Sequence, residues 1–122
     1  MNTNTTLLQS FKYAFEGVFF SIRHNRNMRI HLTVAFLVIL ASIYFKISAF
    51  EMSILGVMIV LVICTEMINS ALEEMVDLII SEHRKEAKIA KDVGAGMVLV
   101  ASMGAVIVGI LIFTPHIAKM LR

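Results

Sequence analysis

Glu66, Asn69, Glu73 and Asp77 recur at spacings of three and four within TEMINSALEEMVDLI, an otherwise apolar stretch. At about 100° per residue of helix, Glu66, Glu73 and Asp77 fall within roughly 40° of one another and Asn69 about 60° to one side, so the four form one polar face. Ionisable side chains are expensive inside a membrane and persist there when they have a task. From Glu66 to Asp77 the helix rises about 16 Å, enough to run from beneath a headgroup layer out to water. The deepest acid, Glu66, is placed to draw a proton from an alcohol as a general base. Glu73 and Asp77 carry the hard oxygens that Mg²⁺ takes when it also binds substrate phosphates. Further along, Lys91 and Asp92 open another apolar run, where a lysine can meet phosphate oxygens as a point charge. A base, a metal ligand and a cation are the parts of a phosphoryl-transfer site.

The elements that must hold these residues follow from composition. The 122 residues are 58% hydrophobic, with a mean hydropathy of +0.83, which is too apolar for a soluble domain of that size and describes an integral membrane protein. The whole chain, 1–122, reads as one domain without internal repeats or low-complexity tracts. Helical spans are expected over about 30–47, 51–80 and 87–114, which reach or nearly reach the roughly 20 residues that cross a bilayer core. The first is short; the second overshoots and carries its polar end to one interface. Lys12, Arg23, Arg26 and Arg29 precede the first span, and Arg84, Lys85, Lys88 and Lys91 separate the second from the third. Both basic regions, and with them the N-terminus and the acidic face, are therefore expected in the cytoplasm, with the C-terminus outside. No cleavable signal is apparent, and the net charge of +2 reports topology rather than a nucleic-acid footprint.

Leu8, Phe11, Phe15, Val18, Phe19 and Ile22 lie on one face of a helix expected over about 6–24, with Lys12, Glu16 and Arg23 opposite. That helix either lies along the membrane surface or packs on the spans as ordinary core. RHNRNMR is expected to form a turn into the bilayer, and KISAFE a short connection that makes the first two spans antiparallel. SEHRKEAKIAK should begin as a loop and continue as the third span, which ends near Pro115. Ala101, Ala105 and Gly109 form a small-residue stripe for close helix approach. Cys64 reads as a packing residue, and the four histidines as interfacial side chains without metal-ligand spacing. Gly94 and Gly96 are not part of GxxxxGK[ST], and no strand precedes them, so neither a P-loop nor a dinucleotide fingerprint is present. A purely structural reading would pair Glu73 or Glu74 with Lys88 or Lys91 as an interfacial ion-pair network.

The run ExxNSAxExxVD from Glu66 to Asp77, with Lys91-Asp92 beginning fourteen residues after the aspartate, resembles the signature of the small prokaryotic diacylglycerol kinases, a family that includes the undecaprenol kinases. The likeness covers nearly the whole chain, and RNMRIH, Arg26 to His31, is similar to the Gram-positive undecaprenol kinase branch. The resemblance implies an all-α homotrimer in the bacterial cytoplasmic membrane, with active sites shared between protomers. It further implies transfer of the ATP γ-phosphate to a lipid hydroxyl, undecaprenol first and diacylglycerol as the alternative. Residue by residue it makes Glu66 the catalytic base, Asn69 its neighbour, Glu73 a Mg²⁺ ligand, and Tyr13, Asn25, Glu73, Asp77, Lys91 and Asp92 the surroundings of the nucleotide. Asn25 stands where the family usually has a glutamate, so the resemblance makes it a weak metal ligand at best. Ala95 stands where some members carry serine. Rival readings are an ion-translocating bundle, for which the interfacial basic partners are superfluous, and a non-enzymatic scaffold, for which the acidic face is.

Overall fold

The computed structural model describes residues 5–82 and 84–122. Four helices follow one another: α1 (Leu7–His24), α2 (Arg26–Tyr44), α3 (Ala49–Ile79) and α4 (Lys85–Met120). The last three are long and apolar enough to cross a membrane, so the expected all-α membrane architecture is what forms. His83, one of the four histidines, lies outside the described residues.

A reciprocal cap starts α1: the Thr6 hydroxyl accepts from the Gln9 N–H, and the Gln9 side chain accepts from the Thr6 N–H at 2.9 Å. Leu8, Phe11, Phe15 and Phe19 are all more than half exposed, up to 80% at Leu8. The apolar face of α1 is thus free of the rest of the chain, as a membrane-surface helix requires and a core helix does not. Lys12 and Glu16 pair on the opposite side at 3.9 Å.

The turn expected over RHNRNMR shrinks to one residue. Asn25, at φ −107° and ψ 114°, ends α1 and starts α2, its Oδ1 accepting from the N–H groups of Asn27 and Met28. Asparagine suits both duties, because its short amide satisfies backbone donors that a helix start leaves without partners. Arg29 fastens the same corner by donating to the carbonyls of Ile22 and Arg23 at 3.1 and 2.7 Å. The first span consequently begins at Arg26 rather than near 30, and it ends at Tyr44 rather than near 47, 19 residues in all.

Between α2 and α3 the chain reverses through Lys46, the one non-glycine residue at positive φ (50°) among those described. Ser48 and Glu51 then cap α3 reciprocally, and Glu51 also meets His116 of α4 at 3.2 Å. The α3–α4 pair is the main contact in the molecule, with α2 laid against α3. Leu55, Val62 and Asn69 are buried along α3, and Ala87, Gly94 and Ala101 along α4. Both series have the seven-residue spacing of a left-handed coiled-coil seam. Close approach therefore runs through Ala87, Gly94 and Ala101, whereas Ala105 and Gly109 of the expected stripe are only half-buried and line a groove. Pro115 does not end the last helix, which continues to Met120. Cys64 is exposed and does not pack within the chain.

Candidate active site

Glu66 is 1% exposed, and its carboxylate meets the two elements that close over α3. The Asn25 amide donates to Glu66 Oε1 at 2.6 Å and to Ser70 Oγ at 2.5 Å, and Ser70 in turn donates to the Glu66 carbonyl at 3.0 Å. His31 Nε2, one and a half turns along α2, stands 3.7 Å from Oε2. A carboxylate so deeply buried costs several kcal/mol unless its hydrogen bonds are made. The α1–α2 corner makes one of them, so the sequence that builds the corner also holds the acid.

Asn69 is 5% exposed and donates to Glu73 Oε1 at 3.3 Å. Its Oδ1 is buried without a hydrogen-bond partner among the described residues and lies directly against Gly94, where an added Cβ would approach it to 2.5 Å. Only glycine leaves room for the amide in that position. At the outer end of the face Lys91 donates to Asp77 Oδ1 at 2.5 Å, and Lys88 to Asp92 at 2.6 Å. The lysines thus pair with Asp77 and Asp92, and among the described residues neither Glu73 nor Glu74, partners in the purely structural reading, forms an ion pair with Lys88 or Lys91.

Three clefts surround these groups. One of about 390 Å³, between α1 and the C-terminal half of α3, is lined by His24, Asn25, Arg26, Ser70, Glu73 and Glu74 among others. A second, of about 370 Å³ on the opposite side of the Glu66–Asn25 contact, is lined by Asn27, Ile30, His31, Glu66, Asn69 and, from α4, Ala95, Val98, Leu99 and Ser102. Glu66 and Asn69 therefore line the second cleft, and Asn25 and Ser70, which line the first, stand between it and the Glu66 carboxylate. The third and largest, about 710 Å³ at the α3–α4 turn, holds Asp77, Lys91 and Asp92 together with Arg84, Lys85 and Lys88. It shares no lining residue with the polar cleft beside Glu73.

Of the residues singled out from sequence, Glu66, Asn25, Asn69 and Glu73 come together, and Asp77, Lys91 and Asp92 form a neighbouring group. Tyr13 joins neither: it is 55% exposed on α1 and lines none of these clefts. The Asn25 oxygen is engaged by two backbone N–H groups and its nitrogen by Glu66 and Ser70, an arrangement that offers no oxygen to a metal. Among the described residues no three His, Cys, Asp or Glu side chains converge. Glu73 and Glu74, both exposed to the polar cleft, instead fit the mode of Mg²⁺ that uses one or two carboxylates and completes its shell with water and phosphate oxygens. His31, Ser70 and the basic trio Arg84, Lys85 and Lys88 were missed as site residues. The four-residue spacing of Ser70 from Glu66 was the available signal for the first turn, whereas His31 comes from another helix.

Known proteins are similar to this chain over nearly its whole length. A family model described as prokaryotic diacylglycerol kinase matches residues 12–113. A diacylglycerol kinase of Synechocystis is 40% identical over 116 residues, covering 94% of this chain and 66% of that protein. An undecaprenol kinase of Bacillus subtilis is 34% identical over 95% of this chain and 94% of its own length. A diacylglycerol kinase of Escherichia coli is 28% identical over 95% and 98%. With the acidic face, its basic partners and three apolar helices in place, this chain belongs to the prokaryotic diacylglycerol kinase family of membrane lipid kinases.

Proposed function

We propose that this chain transfers the γ-phosphate of ATP to the hydroxyl of a membrane lipid at the cytoplasmic surface, the acceptor being one of the two alcohols in its relatives' names, undecaprenol or diacylglycerol. The observation that carries the reading is the position of Glu66, buried against a cleft that Val98 and Leu99 line from α4 and hydrogen-bonded to Asn25, which lines the cleft holding Glu73 and Glu74. A lipid alcohol entering from the apolar side would present its hydroxyl to the carboxylate; Glu66 accepts the proton as the oxygen attacks phosphorus, and ADP leaves with the former bridging oxygen. Asn25 keeps the carboxylate turned toward the acceptor, and Asn69 keeps Glu73 in register with it. Glu73, with Glu74 beside it, would hold Mg²⁺, which when bound neutralises charge on the phosphate oxygens. Lys91, Arg84, Lys85 and Lys88 supply the remaining positive charge, with Asp77 and Asp92 orienting two of these lysines. The two polar clefts of one chain are separate, and a homotrimer in which neighbours complete one another's site would join them. The excess of basic residues at this end supports a reading in which it faces the cytoplasm from the bacterial inner membrane.

The test is transfer of labelled γ-phosphate by the purified protein in lipid, offered each alcohol separately with ample Mg²⁺. Glu66→Gln should lower the rate by about a hundred- to ten-thousand-fold, the usual value of a general base, while helix content and elution volume stay unchanged. A scaffold or an ion conduit would transfer no phosphate from either form.

A further inference from the structure

Every serine and threonine inside a helix, Ser102 excepted, donates its hydroxyl to a backbone carbonyl about one turn back: Ser10, Ser21, Thr33, Ser42, Ser53, Thr65, Ser70 and Thr114. That is the ordinary way for a hydroxyl to satisfy itself in an apolar setting. Ser102 Oγ is buried and has no partner among the described residues. A buried hydroxyl left in this state is a cost that a bound partner removes.

Its location says what that partner is. Ser102 lines the cleft at Glu66 and also an apolar groove of about 400 Å³ between α2, α3 and α4, which shares Ile30 and His31 with that cleft. The groove runs on past Ala105 and Gly109 to Phe113, about 16 Å along α4 from Ser102. Cleft and groove are one path that begins at the carboxylate and continues toward the bilayer interior. Asn69 packs on Gly94, and counting helical rise from that contact along the antiparallel pair puts Ser102 about 7 Å deeper than Glu66. A lipid with its hydroxyl at Glu66 therefore brings to Ser102 whatever lies a few bonds down the molecule. In a glyceride that is an ester carbonyl, an acceptor for the free O–H; in a prenol it is hydrocarbon.

We propose that Ser102 is a specificity-determining residue, donating to an ester carbonyl of the acceptor lipid while the chain lies in the α2–α3–α4 groove. The inference rests on the lipid-kinase reading and narrows its acceptor. Selection by one neutral hydrogen bond amounts to about three- to tenfold in kcat/KM.

The experiment uses the full chain reconstituted in lipid with three acceptors: 1,2-didecanoylglycerol, the matching 1,2-didecylglycerol, in which ethers replace the esters, and undecaprenol. The wild type should favour the ester over the ether about three- to tenfold, chiefly through KM. Ser102→Ala should erase that preference by lowering use of the ester alone, and Ser102→Thr, which keeps a hydroxyl, should retain it. Equal use of ester and ether by the wild type overturns the proposal, as does a Ser102→Ala loss of the same factor on all three acceptors, the mark of a merely structural role. Phosphate transfer to none of the three is a different result and removes the kinase reading itself.

Discussion

At the scale of single residues the telling position is Asn25, an amide where the resemblance to the family leads one to expect a carboxylate. Two carboxyl groups could approach to the 2.6 Å that separates Asn25 from Glu66 only with a shared proton or a metal cation between them. The amide N–H takes the place of that cation, and holds the base without metal. Asn25→Glu should therefore reduce the Mg²⁺ needed for half-maximal rate in a titration of phosphate transfer, because a new carboxylate joins the site. An unchanged or increased Mg²⁺ requirement would show that position 25 lies outside the metal's reach. Asn25→Ala removes both the donor to Glu66 and the start of α2; it should cost about 1 kcal/mol of stability from the lost cap and slow transfer further than that loss explains, measured as melting in detergent beside kcat.

At the scale of elements, the α3–α4 seam sets the depth and tilt of the acidic face. At Gly94 the α4 backbone lies against the Asn69 amide of α3, and a methyl there has no space. Gly94→Ala should cost about 1–3 kcal/mol of overpacking or push the Asn69 amide off Glu73, so that activity falls while the helices persist. Full activity with unchanged melting would mean that the seam is looser than this contact implies. Gly96 has nothing near its missing Cβ, so Gly96→Ala is the matched control and should be neutral. The acids at 66, 73 and 77 were legible from spacing because helical periodicity is local. The corner at Asn25 was not, since a polar basic run reads as a turn whether one residue or seven leave the helix.

At the scale of the whole molecule, the chain displays more apolar surface than any water-soluble monomer tolerates, on α1 as well as on the three long helices. Lipid covers some of it, and the proposed homotrimer the rest. Orientation is testable in a Cys64→Ser background: Lys46→Cys should react with an impermeant maleimide on intact cells, and Glu82→Cys only after permeabilisation. Reaction of both from one side would reject the antiparallel pair with its basic ends in the cytoplasm. Chemical cross-linking in native membranes should yield species up to three chains and none larger.

Composition, hydrophobic run length and the spacing of charged residues were enough to establish a membrane protein of three spans with an acidic face, since all three are properties of a chain in one dimension. The motif carried the family. What no periodicity contained was which groups meet across helices. Asn25 and His31 on Glu66, Gly94 under Asn69 and the solitary hydroxyl of Ser102 depend on how α2 and α4 are set against α3. Those relations arise from seam register and a one-residue corner, and packing in three dimensions decides both.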